Sequence, residues 1–297
     1  VRAHAATVLN LAPDHIDWHG SFEAYRAAKR VAYDRCQDLA VVNADDPATV
    51  QLADQAHVGP GCRTVAFTLG APTPGQLGVV DGSLVDRSGT PDGVVLASVS
   101  DVHPPAPHNT ANALAAAALA GSLDVAPGSV VQGLRRFVAE PHRIALVADV
   151  DGVQWVDDSK ATNTHAAVTS LRAYPSVVWV AGGLAKGGEF DDLVRAEAGR
   201  LRGAVLLGTD RDRIAEALAR HAPAIPVVEV SGEQTDHMPL MDRVVTAAAV
   251  LARPGDTVLL APACASWDQF SDYTERGRAF ADSVERLVVA GDSGGAT

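Results

Sequence analysis

Lysine is scarce in this chain of 297 residues: of its 24 basic residues only Lys29, Lys160 and Lys186 are lysines, and the others are arginines. Cysteine is also scarce. Cys36, Cys62 and Cys264 are odd in number, far apart and never arranged as CxxC, which excludes a disulfide framework and fits a reducing, cytoplasmic setting. No apolar run approaches the ~18 residues that a membrane helix needs. The longest, Ala113 to Ala120 and Val244 to Ala252, read as buried helices. Basic charge is short too, with 36 acidic residues against 24 basic and a net charge of −12. That excludes nucleic acid and anionic membranes as expected partners, while a local cationic site for a small phosphorylated ligand stays open. Neither G-x-x-x-x-G-K-[ST] nor G-x-G-x-x-G occurs in these residues. There is no charged leader with a cleavage site; the chain opens on Val1, enters the apolar stretch Ala5 to Leu11, and reads as one whose beginning is missing.

What is present is globular: 47% hydrophobic and 20% charged residues, in a length suited to two domains. The first, residues 1–140, should hold a short strand at Val8 to Leu11. A helix capped by Ser21 should carry Phe22, Tyr25, Ala28 and Val31. A strand at Leu39 to Asn43 and a helix opened by Asp45-Asp46-Pro47 should follow. Small strands and hairpins are expected over 63–100, then helices over 109–123 and 128–137. The second, residues 141–297, repeats a strand–helix rhythm. Strands are expected over 144–149, 153–156, 177–181, 204–207, 227–230 and 257–261, and helices over 164–173, 191–200, 212–221, 238–252 and 275–289. Such βα units imply a parallel, doubly wound sheet. Pro141 marks the joint, and the Gly/Ser-rich tail from Gly291 should fray.

In a doubly wound sheet, ligands bind beyond the carboxyl ends of the strands. Three polar loops fall there: Asp157 to Asn163, Gly182 to Gly188 and Pro262 to Asp268. Two of the three lysines lie in them. Lysine is a compact point charge whose amine can also react, and one flanked by glycines at a strand end is placed to hold a carboxylate or phosphate; the bland alternative is a solvated turn. The third, Lys29, lies on the helix behind Asp14-His15-Ile16-Asp17-Trp18-His19. His15 and His19 suggest a metal. Oxygen-rich surroundings without paired cysteine disfavour zinc and suit magnesium with phosphate, with His19 the better candidate for a structural histidine. Asn109 and Asn112, at i and i+3, share a helix face that can grip a base or ribose; N-capping by Asn109 is the competing reading. Arg143 follows the joint.

These residues, taken together, resemble the Mur ligase family. The resemblance rests on Asn10-Leu11-Ala12-Pro13-Asp14-His15-Ile16-Asp17, the Ala28-Lys29 helix and His108-Asn109-x-x-Asn112. It extends through Pro141-His142-Arg143, Asp158-Ser159-Lys160-Ala161-Thr162-Asn163 and Pro262-Ala263-Cys264-Ala265-Ser266. The last two stretches are most similar to the D-glutamate-adding branch. The resemblance implies an α/β chain in which a partial central ATPase-type domain is followed by a Rossmann-like C-terminal domain. The N-terminal domain and the ATP phosphate loop would then lie outside these residues. It implies an ATP- and magnesium-dependent ligase of peptidoglycan synthesis, acting on UDP-N-acetylmuramoyl-L-alanine and D-glutamate through an acyl phosphate. By resemblance, His15 and a carbamylated Lys29 hold magnesium, and Lys160 serves the reaction centre. Asn109, Asn112, Arg143 and Asp158 surround adenine and ribose. Thr162, Lys186, Ser266 and Tyr273 form the D-glutamate pocket, with Tyr273 standing where the family pattern has Phe. A sister or folylpolyglutamate-type ligase with another amine, and a non-catalytic module, are the rival readings.

Overall fold

A computed structural model describes residues 2–14, 16–104, 106–138, 140–232 and 238–294, with side chains described for all but Asp17 and 290–294. It divides into two compact units, Val1–Val138 and Ala139–Thr297.

The first unit is built on a six-stranded sheet in sequential order. Its strands are β1 (Ala5–Thr7), β2 (Leu39–Asn43), β3 (Arg63–Phe67), β4 (Gln76–Val80), β5 (Ser83–Asp86) and β6 (Val94–Ser98). The pairs from β1 to β4 are parallel; those from β4 to β6 are antiparallel. Helix α1 (Ile16–His19) and helix α2 (Phe22–Arg30) follow β1, and Ser21 caps α2 by accepting from Ala24 N–H. Asp46 caps α3 (Pro47–Asp54), with Pro47 in the first turn. One face of the sheet packs on α4 (Pro107–Gly121) through Leu114 and Ala118, and the other gathers Val8, Tyr33, Val42 and Leu52. Helix α5 (Pro127–Arg136) buries no residue fully.

The first strand ends earlier than the apolar run Val8 to Leu11 suggests. Ala5–Thr7 ladders with Leu39–Val41, and beyond it the backbone turns to side chains. Val8 N–H donates to the Tyr33 hydroxyl at 2.9 Å, Leu9 C=O accepts from the Asn43 amide at 2.9 Å, and Leu11 N–H donates to Asp46 at 2.7 Å. Val8 is buried by packing, not by strand pairing. Asn109 does not cap α4 either: Ala106 holds that position, and Asn109 donates to Pro104 C=O at 2.9 Å.

The second unit carries a sheet of order β11-β10-β9-β12-β8-β7. Its strands are β7 (Ala145–Val150), β8 (Val153–Asp157), β9 (Val177–Gly182), β10 (Leu201–Leu207), β11 (Val227–Glu229) and β12 (Thr257–Leu260). Every residue of β9 is buried, as parallel strands covered on both faces must be. Helices α6 (Thr164–Leu171), α7 (Asp191–Glu197) and α8 (Arg211–His221) seal one face through Leu171, Val194 and Leu218. Helices α9 (Leu240–Leu251) and α10 (Tyr273–Gly294) seal the other through Val244, Phe280 and Val284. The sheet departs from the parallel expectation at one edge, where β7 runs antiparallel to β8 with Val150 opposite Val153. The two connecting residues, Asp151 and Gly152, both have positive φ (51° and 76°), the conformation of a tight Asp-Gly hairpin. The tail expected to fray from Gly291 continues α10 to Gly294.

Candidate functional site

Three loops leave the carboxyl ends of neighbouring strands in the second unit, after β8, β9 and β12, and backbone bonds tie them together. Asp158 N–H donates to Leu260 C=O, Gly182 N–H to Pro262 C=O and Ala263 N–H to Ala161 C=O, each at 2.9 Å. Leu184 and Ala265 form an isolated antiparallel bridge. Gly183, at φ +132°, makes that approach possible, because a Cβ there would stand 2.2 Å from Ala265 C=O. The buried indole of Trp179 donates to Ala261 C=O at 2.8 Å.

The expected residues sit on this framework. Lys186, at φ +49°, places its ammonium 3.7 Å from the centroid of the Trp267 ring, a close cation–π contact, although that indole is 64% exposed. Ser266 is buried. Lys160 lies 3.6 Å from the Glu140 carboxylate and 5.1 Å over the Tyr273 ring. Arg143 donates to the same carboxylate at 3.1 Å, so Glu140 gathers both cations and its carboxyl is held below the usual range, first by the Arg143 hydrogen bond and then by Lys160. Thr162 N–H donates to Lys160 C=O at 2.8 Å. Asp158 turns inward and accepts from the Ser170 hydroxyl; burial pushes its carboxyl up to about 6, against the opposing pull of that hydrogen bond. Cys264 is fully buried, with its thiol pushed up to about 12 by burial, so it serves packing and not nucleophilic chemistry.

Sequence reasoning assigned no role to two groups at the root of this site. His142, at φ +64°, shares a 2.6 Å hydrogen bond between Nδ1 and Asp157 Oδ2, and both side chains are buried. Gly277 lets α10 approach them, since a Cβ there would lie 2.1 Å from His142 Nδ1. A glycine inside a helix is the signal that could have pointed there. The second group is Arg276, 1% exposed and engaged with Ser159 and Cys264. Burial pulls its guanidinium down to about 10.

In the first unit, Lys29 is exposed on α2 with its ammonium 5.3 Å over the Tyr25 ring. Asn112 is exposed on α4, and Asn109 is turned to the Pro104 carbonyl. His15 lies outside the described residues. His19 packs edge-on against Tyr25 at 5.3 Å between ring centroids, a structural use. Among the described residues no group of three or more His, Cys, Asp or Glu can hold a metal ion, and no helix is long and apolar enough to cross a membrane.

Comparison with known proteins gives two family matches: residues 1–120 to the Mur ligase middle domain, and residues 142–264 to the glutamate ligase domain of Mur ligases. UDP-N-acetylmuramoylalanine--D-glutamate ligase of Streptomyces coelicolor is 59% identical over 291 residues, which is 97% of this chain and 61% of the relative. The enzyme of that name from Thermobifida fusca is 56% identical over 292 residues, covering 97% and 62%. The chain thus spans about three fifths of the length of these curated relatives. A crystal structure of MurF from Acinetobacter baumannii shares the fold with a TM-score of 0.65 at 20% identity, covering 96% of this chain and 60% of that one.

Proposed function

This chain belongs to the Mur ligase family, and from that premise we propose that it forms part of a cytoplasmic, ATP-dependent ligase of peptidoglycan synthesis that joins D-glutamate to UDP-N-acetylmuramoyl-L-alanine. The observation that carries the amino-acid end is the tie between the loops after β9 and β12, which brings the segments bearing Lys186 and Ser266 side by side on one sheet edge. A small dicarboxylate needs such a site: a mobile cation for one carboxylate and a fixed hydroxyl with loop amides for the other.

The reaction runs in two steps. The γ-phosphoryl group of ATP passes to the L-alanyl carboxylate, giving acyl phosphate and ADP. The amine of D-glutamate then attacks the acyl carbon, loses a proton and expels phosphate. Both steps concentrate charge on oxygens, so fixed cations supply much of the stabilisation. Lys160 is the cation at the reaction centre in this reading; here its ammonium lies 3.6 Å from the Glu140 carboxylate. Thr162, Lys186, Ser266 and Tyr273 line the D-glutamate pocket in this reading, and Asn109, Asn112, Arg143 and Asp158 are assigned to adenine and ribose, a role for which the Asp158 carboxyl must leave the Ser170 hydroxyl it accepts from here.

Magnesium enters with the nucleotide and, when bound, offsets phosphate charge. Lys29 is the described member of the pair assigned to it. An ammonium is no metal ligand, but an exposed amine is open to carbon dioxide, and a carbamate there would present the anionic oxygen the ion requires; His15 is the other member of the pair.

Phosphate release tests the proposal. The protein at its full native length, with ATP, magnesium and UDP-N-acetylmuramoyl-L-alanine, should release phosphate when D-glutamate is added and not when L-glutamate, L-alanine or a diamino acid replaces it. A preference for another amine would transfer the chain to a sister ligase. The 297 residues alone, in which neither G-x-x-x-x-G-K-[ST] nor G-x-G-x-x-G occurs, should release none and should bind ATP weakly, because contacts to adenine and ribose leave the phosphates to water.

A further inference from the structure

Arg276 is the one fully buried arginine among the described residues, and its surroundings are unusual for a buried cation. Its Nε donates to Ser159 Oγ at 2.9 Å, Nη2 to Ser159 C=O at 2.8 Å and Nη1 to Cys264 C=O at 3.2 Å. The Ser159 hydroxyl in turn donates its O–H to Tyr273 C=O at 2.7 Å. All of these acceptors are neutral. A buried charge without a carboxylate in contact is costly, and an apolar side chain of similar volume would fill the space without that cost. Helix α10 has such side chains one and two turns on, in Phe280 and Val284. What an apolar residue cannot supply is a planar fork of donors that reaches two loops at once.

The two loops are the ones that matter. Ser159 immediately precedes Lys160 and is three residues before Thr162; Cys264 is two residues before Ser266. The guanidinium therefore clamps the segment after β8 to the segment after β12 from beneath, at the first turn of the helix that also presents Tyr273.

We propose that Arg276 is a positioning residue that sets the separation of the Lys160–Thr162 and Ser266 segments and thereby the seat of the incoming amino acid. The inference rests on the functional reading above and adds to it a residue that touches no substrate. Lysine is not an equivalent replacement, because an ammonium offers its donors from one nitrogen and lacks the planar fork whose three nitrogens here reach Ser159 and Cys264 separately.

The test uses the protein at full native length. Arg276→Lys should raise KM for D-glutamate and lower kcat, for a combined loss in kcat/KM of about 10²-fold, the usual consequence of misplacing a reacting group by ~1 Å, while KM for ATP stays within about twofold. Ser159→Ala, which removes one acceptor and keeps the guanidinium, should shift KM for D-glutamate in the same direction by a smaller factor. Phe280→Leu, on the same helix, should lower Tm and leave both KM values unchanged. Wild-type kinetics in Arg276→Lys, or a fall in Tm without a change in KM, would overturn the proposal. If Arg276→Lys does not fold, Ser159→Ala decides, and an unchanged KM there counts against it. The wild-type arm judges the functional reading separately: should it accept another amine, the same ratios measured with that amine judge Arg276.

Discussion

The two units support several of their expected site residues in different ways, although Lys186 and Arg143 of the second are exposed, like Lys29 and Asn112 of the first. In the first, Lys29 and Asn112 stand exposed on helix surfaces, Lys29 with one aromatic ring beneath it. In the second, Lys160, Ser266 and Tyr273 grow from segments stitched to one another by Arg276, by the Leu184–Ala265 bridge and by the His142–Asp157 pair. An exposed residue of the first kind supports little of the fold, so replacing it should spare the fold. A residue of the second kind is held by groups that also hold the fold, so geometry and stability move together.

The strongest test of that contrast is Lys29. Lys29→Arg keeps the charge and cannot form a carbamate; in the full-length protein it should lose turnover by roughly 10³-fold or more, the scale of a lost electrostatic stabiliser, with Tm unchanged. Lys29→Ala should regain part of its activity with added formate or acetate. Full activity in Lys29→Arg would rule the carbamate out. Next comes Lys186→Ala, which should raise KM for D-glutamate about 10- to 100-fold, the worth of one charge-assisted hydrogen bond, and leave KM for ATP in place. Equal effects on both would remove Lys186 from the amino-acid pocket.

Two glycines sharpen the structural side. Gly277→Ala drives a methyl into His142 and Asp157 and should cost about 1–3 kcal/mol, as overpacking does. Gly133, on α5, has open space around its Cβ direction, and Gly133→Ala should stabilise by about 0.5–1 kcal/mol. Thermal unfolding of the two variants reads both signs.

The smallest effect is on pH. Asp158 ionises near 6 in the folded protein against 3.8 for the ordinary side chain. The native state therefore holds this proton to higher pH than the unfolded state, and stability falls as pH rises from about 4 to 6. Asp158→Asn removes that titration, so its Tm relative to wild type should climb across the same interval, by roughly 2–4 °C for each kcal/mol at this chain length. A constant difference would mean the carboxyl titrates normally.

Most elements of both units were legible in the sequence to within a few residues, because apolar periodicity and caps such as Ser21 and Asp46 are local signals; the short helix α1 (Ile16–His19) was not expected, and β1 (Ala5–Thr7) precedes the strand expected at Val8 to Leu11. Errors arose where a local signal had two readings. Val8 is apolar because it packs on Tyr33, and β7 turns back because Asp151-Gly152 makes a tight hairpin, a dipeptide that was there to be read. The strand-end loops were legible as well, since their lysines and glycines lie in polar runs. Arg276 was not, because its partner Ser159 is 117 residues away and one arginine among so many arginines carries no mark of burial.

Strand β12 has a consequence for how the second unit comes into being. It is the last strand in the chain, yet it lies between β9 and β8 and pairs with both. Until it is made, β11-β10-β9 and β8-β7 are two half-sheets, each with a bare apolar edge. Loop-closure entropy must be met before that pairing returns anything. During synthesis the second unit waits for Leu260 and exposes those edges to other chains for as long as it waits. The strand whose loop carries Ser266 is thus also the one that closes the sheet, so the three loops tied together by backbone bonds are brought together only when that sheet is.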